Sequence, residues 1–491
     1  MAKLFLGCLI AVCAAVTGCT SALEQPEFNP ERWAPPTMQT EWKPAAADQR
    51  VSFDVESDVA QFRGGADSAN RATNYDLPAL IDLALSQNPD TRSAWEAARM
   101  AAAQWGIKRA PFYPLIGVAS ESGYQREMDL VPKHWGVLKN WQSVDQLTLD
   151  YILEDFGRRD AAAKSAREQL IASNYQFNRG IQKTVFEVER NFYLLEAQRA
   201  GVDAARAIVS LAVTDRRGVE KRHHEGLATL PNLLLAQQRE ARARYDLQNA
   251  ELGVSEAQAD LAQAVGLRVD MMPPVTTSSA LTVPPTLSNA VDDLINSAIK
   301  QRPDLASRVS SLRAKDAEIE AARAAMYPTI GLSSGYGVHA FQYRLTSGPT
   351  PQYTALGPEY DAMITLKWDA FAGFEHVNSI DEAQAVRDRE RAQLRALEID
   401  VASQVWRAYY AFETALREYQ YAQTLLTASQ SAYDSNFRSF NDGLATIVDL
   451  LSSERDLADA KYTMIRSRTD VLISASALAF STGTIQPPTG P

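Results

Sequence analysis

Gly226-Leu227-Ala228-Thr229 and Gly443-Leu444-Ala445-Thr446 repeat the same four residue types at an offset of 217, each between two long stretches of helical pattern. Glycine accepts the positive φ that closes a helix and threonine can open the next, so each quartet reads as the bend of a helical hairpin. Asp449 stands three residues beyond Thr446, the spacing at which a hydroxyl and a carboxylate satisfy backbone N–H groups at a helix start. Pro231 and Asn232 occupy the matching turn of the first copy, where proline costs no intrahelical donor. The repetition predicts one architectural unit written twice.

The stretches leading into the bends, Arg158 to His224 and Phe374 to Asn441, contain no proline. At 1.5 Å per residue each makes a helix of ~100 Å, far longer than a globular domain needs. Val185, Val188, Phe192 and Leu195 follow 3-4-3 spacing, and Val188-Glu189-Arg190-Asn191-Phe192-Tyr193 aligns with Val405-Trp406-Arg407-Ala408-Tyr409-Tyr410 at the same offset of 217. This is the periodicity of coiled-coil packing. Alanine-rich return helices are expected from Leu230 to about Val265 and from Ile447 to about Phe480, with Gly266 and Gly483 as the breaks behind them.

Upstream, helical pattern from about Leu77 is interrupted at Gln87-Asn88-Pro89-Asp90, and its counterpart at Gln301-Arg302-Pro303-Asp304. The next helices end at Phe112-Tyr113-Pro114 and Met326-Tyr327-Pro328, where the apolar period changes from 3.6 to 2. Ile330, Leu332, Ser334, Tyr336 and Val338 alternate with Gly331, Ser333, Gly335, Gly337 and His339, and Ile116, Val118 and Tyr124 form the weaker first copy. Loops are expected at Met128 to Gln142 and Arg344 to Pro358, each followed by a second strand: Leu147, Leu149, Tyr151 and Leu153 in one copy, Ile364, Leu366 and Trp368 in the other. Phe156-Gly157-Arg158 and Phe371-Ala372-Gly373 end these strands. One apolar and one polar face over about ten residues suits a membrane β-barrel strand, and equally a soluble hairpin on a core. In a membrane, four strands are too few to close a barrel and open edges are not tolerated, so several copies must contribute.

The chain has 491 residues and a formal net charge of −11, an acidic balance that argues against a nucleic-acid partner. No stretch approaches the ~20 consecutive apolar residues of a spanning helix. Met1-Ala2-Lys3 followed by the apolar run Leu4 to Val16 has the form of an export signal. Of three cysteines, Cys8 and Cys13 fall inside that signal, which leaves Cys19 alone and excludes an internal disulfide framework. Val16-Thr17-Gly18-Cys19 resembles a bacterial lipobox, in which the cysteine carries acyl chains such as palmitate as a membrane anchor; the alternative is a cysteine beside an ordinary cleavage site. Thr20 favours the outer membrane as the address.

The expected organisation is a signal peptide at 1–18, a lipidated arm at 19–76, a first repeat at 77–270, a Pro-rich linker at 271–288, a second repeat at 289–485 and a tail at 486–491. Adjacent His223 and His224 beside Glu225 point about 100° apart on a helix, which speaks against a metal site. Arg216, Arg217, Lys221 and Arg222 form a basic run that reads either as a solvated helix end or as a contact surface. No phosphate loop or nucleophile motif is present, so neither an enzymatic activity nor a cofactor is expected, the covalent lipid on Cys19 apart.

The twice-repeated order of helix, Tyr-Pro, strand pair, Phe-Gly or Phe-Ala-Gly, long helix, Gly-Leu-Ala-Thr bend and return helix resembles the TolC-like outer-membrane factors, in their lipoprotein branch, over about residues 77 to 485. The resemblance implies a mainly α protein with membrane β-structure: a homotrimer whose 12-stranded outer-membrane β-barrel continues into a long periplasmic α-helical barrel. It implies docking through Gly226, Leu227, Ala228, Thr229, Gly443, Leu444, Ala445 and Thr446 to a periplasmic adaptor (membrane fusion) protein. An inner-membrane transporter of the resistance-nodulation-division type would then drive small molecules, drugs and toxic organics, through a passive duct. Asp442 and Asp449 are the gate candidates, although Ala445 stands where several relatives carry an acid, and Asp449 equally suits a capping role. The alternatives are the exit duct of a type I protein secretion system and a non-pore periplasmic tethering lipoprotein.

Overall fold

The computed structural model describes residues 37–40, 75–131, 134–276, 290–345 and 353–486. The export signal, Cys19, and most of the arm, the linker and the tail lie outside the described residues. The chain divides into two compact units, one holding Arg99–Ile171 and Ser310–Arg391, the other Ala172–Val309 and Ala392–Pro491 with the described residues before Ala98.

Element order bears out the duplication. The first copy runs α1 (Leu77–Gln87), α2 (Pro89–Arg109), β1 (Leu115–Val131), β2 (His134–Glu154), α3 (Arg158–His224) and α4 (Leu230–Val265). The second runs α5 (Val291–Gln301), α6 (Pro303–Ala324), β3 (Thr329–Leu345), β4 (Tyr353–Lys367), α7 (Glu375–Asn441) and α8 (Ile447–Thr482). Helices α3 and α7 both contain 67 residues, and α4 and α8 both contain 36. Asp76 caps α1 by accepting from the Ala79 N–H at 3.1 Å. Pro89 and Pro303 then end α1 and α5, because proline has no N–H for the i−4 carbonyl. At the first break the Asn88 side chain accepts from the Asp90 N–H at 2.8 Å and donates to the Ala264 carbonyl at 2.8 Å. At the second, Arg302 takes its place, donating to the Ser481 carbonyl at 3.1 Å and binding Asp304 through two nitrogens at 3.0 and 2.6 Å.

In the helical unit the 3-4-3 stripe of α3 is core: Val185, Val188, Phe192 and Leu195 are buried against Leu80, Ile81, Ala84 and Leu85 of α1 and Leu261 and Val265 of α4. The counterpart stripe buries Val401 and Val405 of α7 beside Ala298 and Leu305.

The other unit contains one antiparallel sheet of order β1-β2-β3-β4, so β1 and β4 are its edges. Its strands are longer than their alternation indicated. The segments Met128 to Gln142 and Arg344 to Pro358, expected as loops, are largely strand: β1 continues to Val131, which pairs with His134, and Tyr343 pairs with Tyr353. Backbone pairing continues through this outer part of the ladder, with Tyr124 opposite Trp141 and Arg126 opposite Lys139, where the apolar alternation has lapsed. Pro358 sits inside β4 opposite Val338, which a strand at the sheet edge tolerates.

Register sorts the sheet into two faces. One carries Ile116, Val118, Leu147, Leu149, Tyr151, Leu332, Tyr336, Ile364 and Leu366; the other carries Glu121, Gln146, Thr148, Asp150, Glu359 and Asp361 among small residues. At the strand ends that lead into helices, Phe156 (φ 55°) and Phe374 (φ 68°) adopt a left-handed conformation uncommon for aromatic residues. Phe156 stacks on Tyr327 at 5.3 Å and Phe371 meets Phe374 edge-on at 5.5 Å.

Candidate functional site at the helical bends

The two quartets form near-identical bends. Gly226 and Gly443 have φ of 74° and 76°. In the first bend the Gly226 N–H donates to the His223 carbonyl at 3.0 Å and the Leu227 N–H to the Arg222 carbonyl at 2.7 Å. In the second, Gly443 donates to Phe440 at 3.1 Å and Leu444 to Ser439 at 2.8 Å. These bonds define the Schellman motif, in which a left-handed residue satisfies the last carbonyls of a helix. A consequence is that Leu227 and Leu444, the residues after each glycine, stand 68% and 84% exposed at the apex of their bends.

The helix starts beyond the bends differ. Thr446 and Asp449 form the expected capping box: the Asp449 N–H donates to Thr446 Oγ1 at 3.3 Å, and the Thr446 N–H and hydroxyl donate to Asp449 Oδ2 at 3.0 and 2.6 Å. Those bonds, the hydroxyl's first, hold the Asp449 carboxyl below the usual aspartate range. Thr229 occupies the N-cap position with the same backbone angles but makes no side-chain cap, and Asn232 stands where the second copy has its carboxylate. Asp442, the other gate candidate, is solvent-exposed one residue before Gly443.

Part of the basic run turns inward. Arg222 Nη1 donates to the Phe440 carbonyl at 2.5 Å, its guanidinium lies 4.6 Å from the Phe440 ring centre, and its own carbonyl closes the first bend. One side chain thus ties the last turn of α3 to the last turn of α7. Arg216 pairs with Glu220 at 2.6 Å and with Glu240 of α4, whereas Arg217 and Lys221 face solvent. His223 Nδ1 is spent on the Ala228 carbonyl at 2.8 Å within the bend.

Behind the bends Val219, Ala236, Tyr433, Phe440, Ile447, Leu450, Leu451 and Leu457 bring α3, α4, α7 and α8 into one apolar cluster. Beside it lie two carboxyls that sequence reading did not single out: Asp215 of α3 is 3% exposed and Glu454 of α8 is 0% exposed. No oxygen of either group has a partner at full hydrogen-bond geometry. The groups facing them are one another, the Tyr433 hydroxyl from α7, and the Arg239 guanidinium from α4, whose Nε lies 3.4 Å from Glu454 Oε1. Burial, and then the charge of Glu454, push Asp215 up to about 7; burial also raises Glu454, against the opposing pull of Arg239. Burial and the neighbouring carboxylate thus favour the protonated form of Asp215 relative to an ordinary aspartate. A signal was present in the pattern: Asp215 falls in the stripe Ile208, Ala212, Asp215, Val219, and Glu454 in the stripe Ile447, Leu450, Leu451, Glu454, Leu457. An acid on an apolar stripe of a long helix is a buried acid.

Among known proteins, the model of the family described as "Outer membrane efflux protein" matches residues 80–267 and 294–484, one segment in each repeat. Relatives include Protein CyaE of Bordetella pertussis, 26% identical over 416 residues that cover 84% of this chain and 85% of the relative. Another is the pyoverdine export outer membrane protein OpmQ of Pseudomonas aeruginosa, 26% identical over 411 residues covering 80% and 82%. The solved structure of the outer-membrane channel OprN superposes with a TM-score of 0.70 at 17% identity, covering 84% of this chain and 91% of that one, and so shares the fold. With both repeats matched, in a sheet-and-hairpin architecture shared with a solved outer-membrane channel, this chain belongs to the outer membrane efflux protein family.

Proposed function

We propose that the protein is the exit duct of a tripartite efflux system in the outer membrane, a passive passage for small molecules driven by an inner-membrane transporter through a periplasmic adaptor. The observation that carries this reading is the open sheet. Four strands with an apolar face, a polar face and free edges at β1 and β4 cannot lie in a bilayer alone, because unpaired edge amides have no water to bind. Three copies supply twelve strands, whose edges pair β4 to β1 around a ring, with the apolar face toward lipid and Glu121, Asp150, Glu359 and Asp361 toward a wet lumen.

The helices continue that wall into the periplasm and end in bends that present Leu227 and Leu444 to a partner. Apolar side chains held rigidly at an apex are poor surface residues and good docking anchors. Asp442 and Asp449 are both exposed at the second bend; repeated three times around an axis, ionised carboxylates repel one another and narrow what can pass. Acyl chains on Cys19 add a lipid anchor. The name of the relative OpmQ, pyoverdine export, supports small-molecule cargo.

The full-length protein reconstituted in a planar bilayer tests the reading. Discrete single-channel conductance steps are expected; a preparation that inserts and never conducts would return the protein to the class of tethering lipoproteins.

A further inference from the structure

Toward the hairpin end of the sheet, a row of basic register positions crosses the face that carries most of the apolar residues. Arg126 of β1 stands directly opposite Lys139 of β2, and Lys139 is the register partner of Arg344 of β3. The row below it on that face pairs Tyr124 with Trp141, both exposed. Three basic positions side by side on adjacent strands is an arrangement that sheets avoid, since like charges at directly paired positions repel. Among the described residues, no carboxylate stands beside it in register. Of the sheet's described carboxylates, Glu121, Asp150, Glu359 and Asp361 belong to the opposite face. On this face Glu154, opposite Ile330, lies at the far end of β2, and Asp145 lies six residues along β2 from Lys139 and accepts from the Ser120 hydroxyl at 2.5 Å. Neither Arg126 nor Lys139 has a carboxylate partner among the described residues.

We infer that this row is a binding surface for the phosphate groups of a phosphorylated glycolipid in the outer leaflet. The inference rests on the sheet's place in the outer membrane and goes beyond it by naming a ligand. Along β2, the side chains of that face run from Tyr151 to Trp141. Ten residues of a strand tilted by ~40° rise ~25 Å, about the height of the apolar band of an outer-membrane barrel. The aromatic pair Tyr124 and Trp141 then sits at the outer interface, where such rings collect, and the cations one row further sit at the level of the lipid phosphates. Arginine and lysine on paired strands offer several N–H donors to one anion, and the anion removes the repulsion within the row. A phosphomonoester carries more charge than a phosphodiester, so a glycolipid bearing phosphomonoesters fits the row better than a phosphodiester lipid.

The test is native mass spectrometry of the full-length protein in detergent, titrated with diphosphorylated lipid A, with the same lipid stripped of both phosphates, and with phosphatidylglycerol. Retention of the diphosphorylated form above both others is expected. The double variant Arg126→Gln/Lys139→Gln should bind it about 30-fold more weakly, from roughly a fivefold effect per cation at a membrane surface. The charge-conserving exchange Arg126→Lys/Lys139→Arg should retain most of the binding, which separates a charge effect from a folding defect. Equal retention by wild type and the double variant, or of the dephosphorylated lipid, would overturn the site. Equal retention of phosphatidylglycerol would overturn the glycolipid as its occupant. Conductance of the double variant in a planar bilayer is expected to persist, so failure of the lipid site is distinguishable from failure of the channel.

Discussion

Asp215→Asn is the most informative perturbation of the bundle behind the bends. The wild-type carboxyl is raised to about 7, by burial first and by Glu454 second, against an unfolded value near 3.9. The sign follows from linkage: an acid whose folded pKa lies above its unfolded pKa binds the proton more tightly when folded. The contribution of Asp215 to stability is therefore greatest at and below about pH 4, falls as pH rises toward 7, and is flat beyond. A displacement of three pH units corresponds to ~4 kcal/mol; with Arg239 at the pair and partly open to water, screening leaves ~2 kcal/mol. Asparagine keeps the shape and a donor but has no charge to bury. Thermal melts of the detergent-solubilised protein between pH 4.5 and 8 should show wild-type stability declining with pH more steeply than that of the variant, which keeps only the contribution of Glu454, the two diverging by ~2 kcal/mol by pH 7.5. Parallel profiles would refute the reasoning, and would mean that water or a counter-ion compensates the pair.

Replacing Gly226 or Gly443 by alanine should cost ~1–2 kcal/mol through its positive φ alone, since a Cβ at either position meets nothing within 4 Å. Aspartate or tryptophan there should abolish export with normal amounts of protein in the outer membrane, read by a susceptibility profile and immunoblotting. Phe192→Ala removes a fully buried ring from the first core and should destabilise by ~3–5 kcal/mol in chemical denaturation. A lumen lined by Glu121, Asp150, Glu359 and Asp361 should prefer cations, which a reversal potential under a salt gradient reports directly. Cys19→Ser should eliminate incorporation of labelled palmitate; undiminished labelling would place the acyl chain elsewhere.

The architecture was legible wherever backbone chemistry is local. Proline at 89 and 303, glycine at 226 and 443, and the Thr446–Asp449 spacing each act within a few residues, and each produced the expected break, bend or cap. Strand length was not legible, because Arg126, Lys139 and their neighbours owe their extended conformation to partners on the next strand, not to alternation within their own. Thr229 takes the N-cap position without a side-chain cap, and Asn232 in place of an acid leaves it no capping box. The role of Arg222 depends on Phe440, 218 residues away, and the facing of Asp215 and Glu454 requires all four bundle helices to be in place. Only the acids' positions on apolar stripes announced them.

Everything proposed for the duct requires that one protomer leave its sheet open. Native mass spectrometry of the purified protein, released from detergent in the gas phase, counts the copies directly. A complex of three protomers is expected, with little free monomer; a stable monomer, or a ring of any other number, would contradict the twelve-stranded wall.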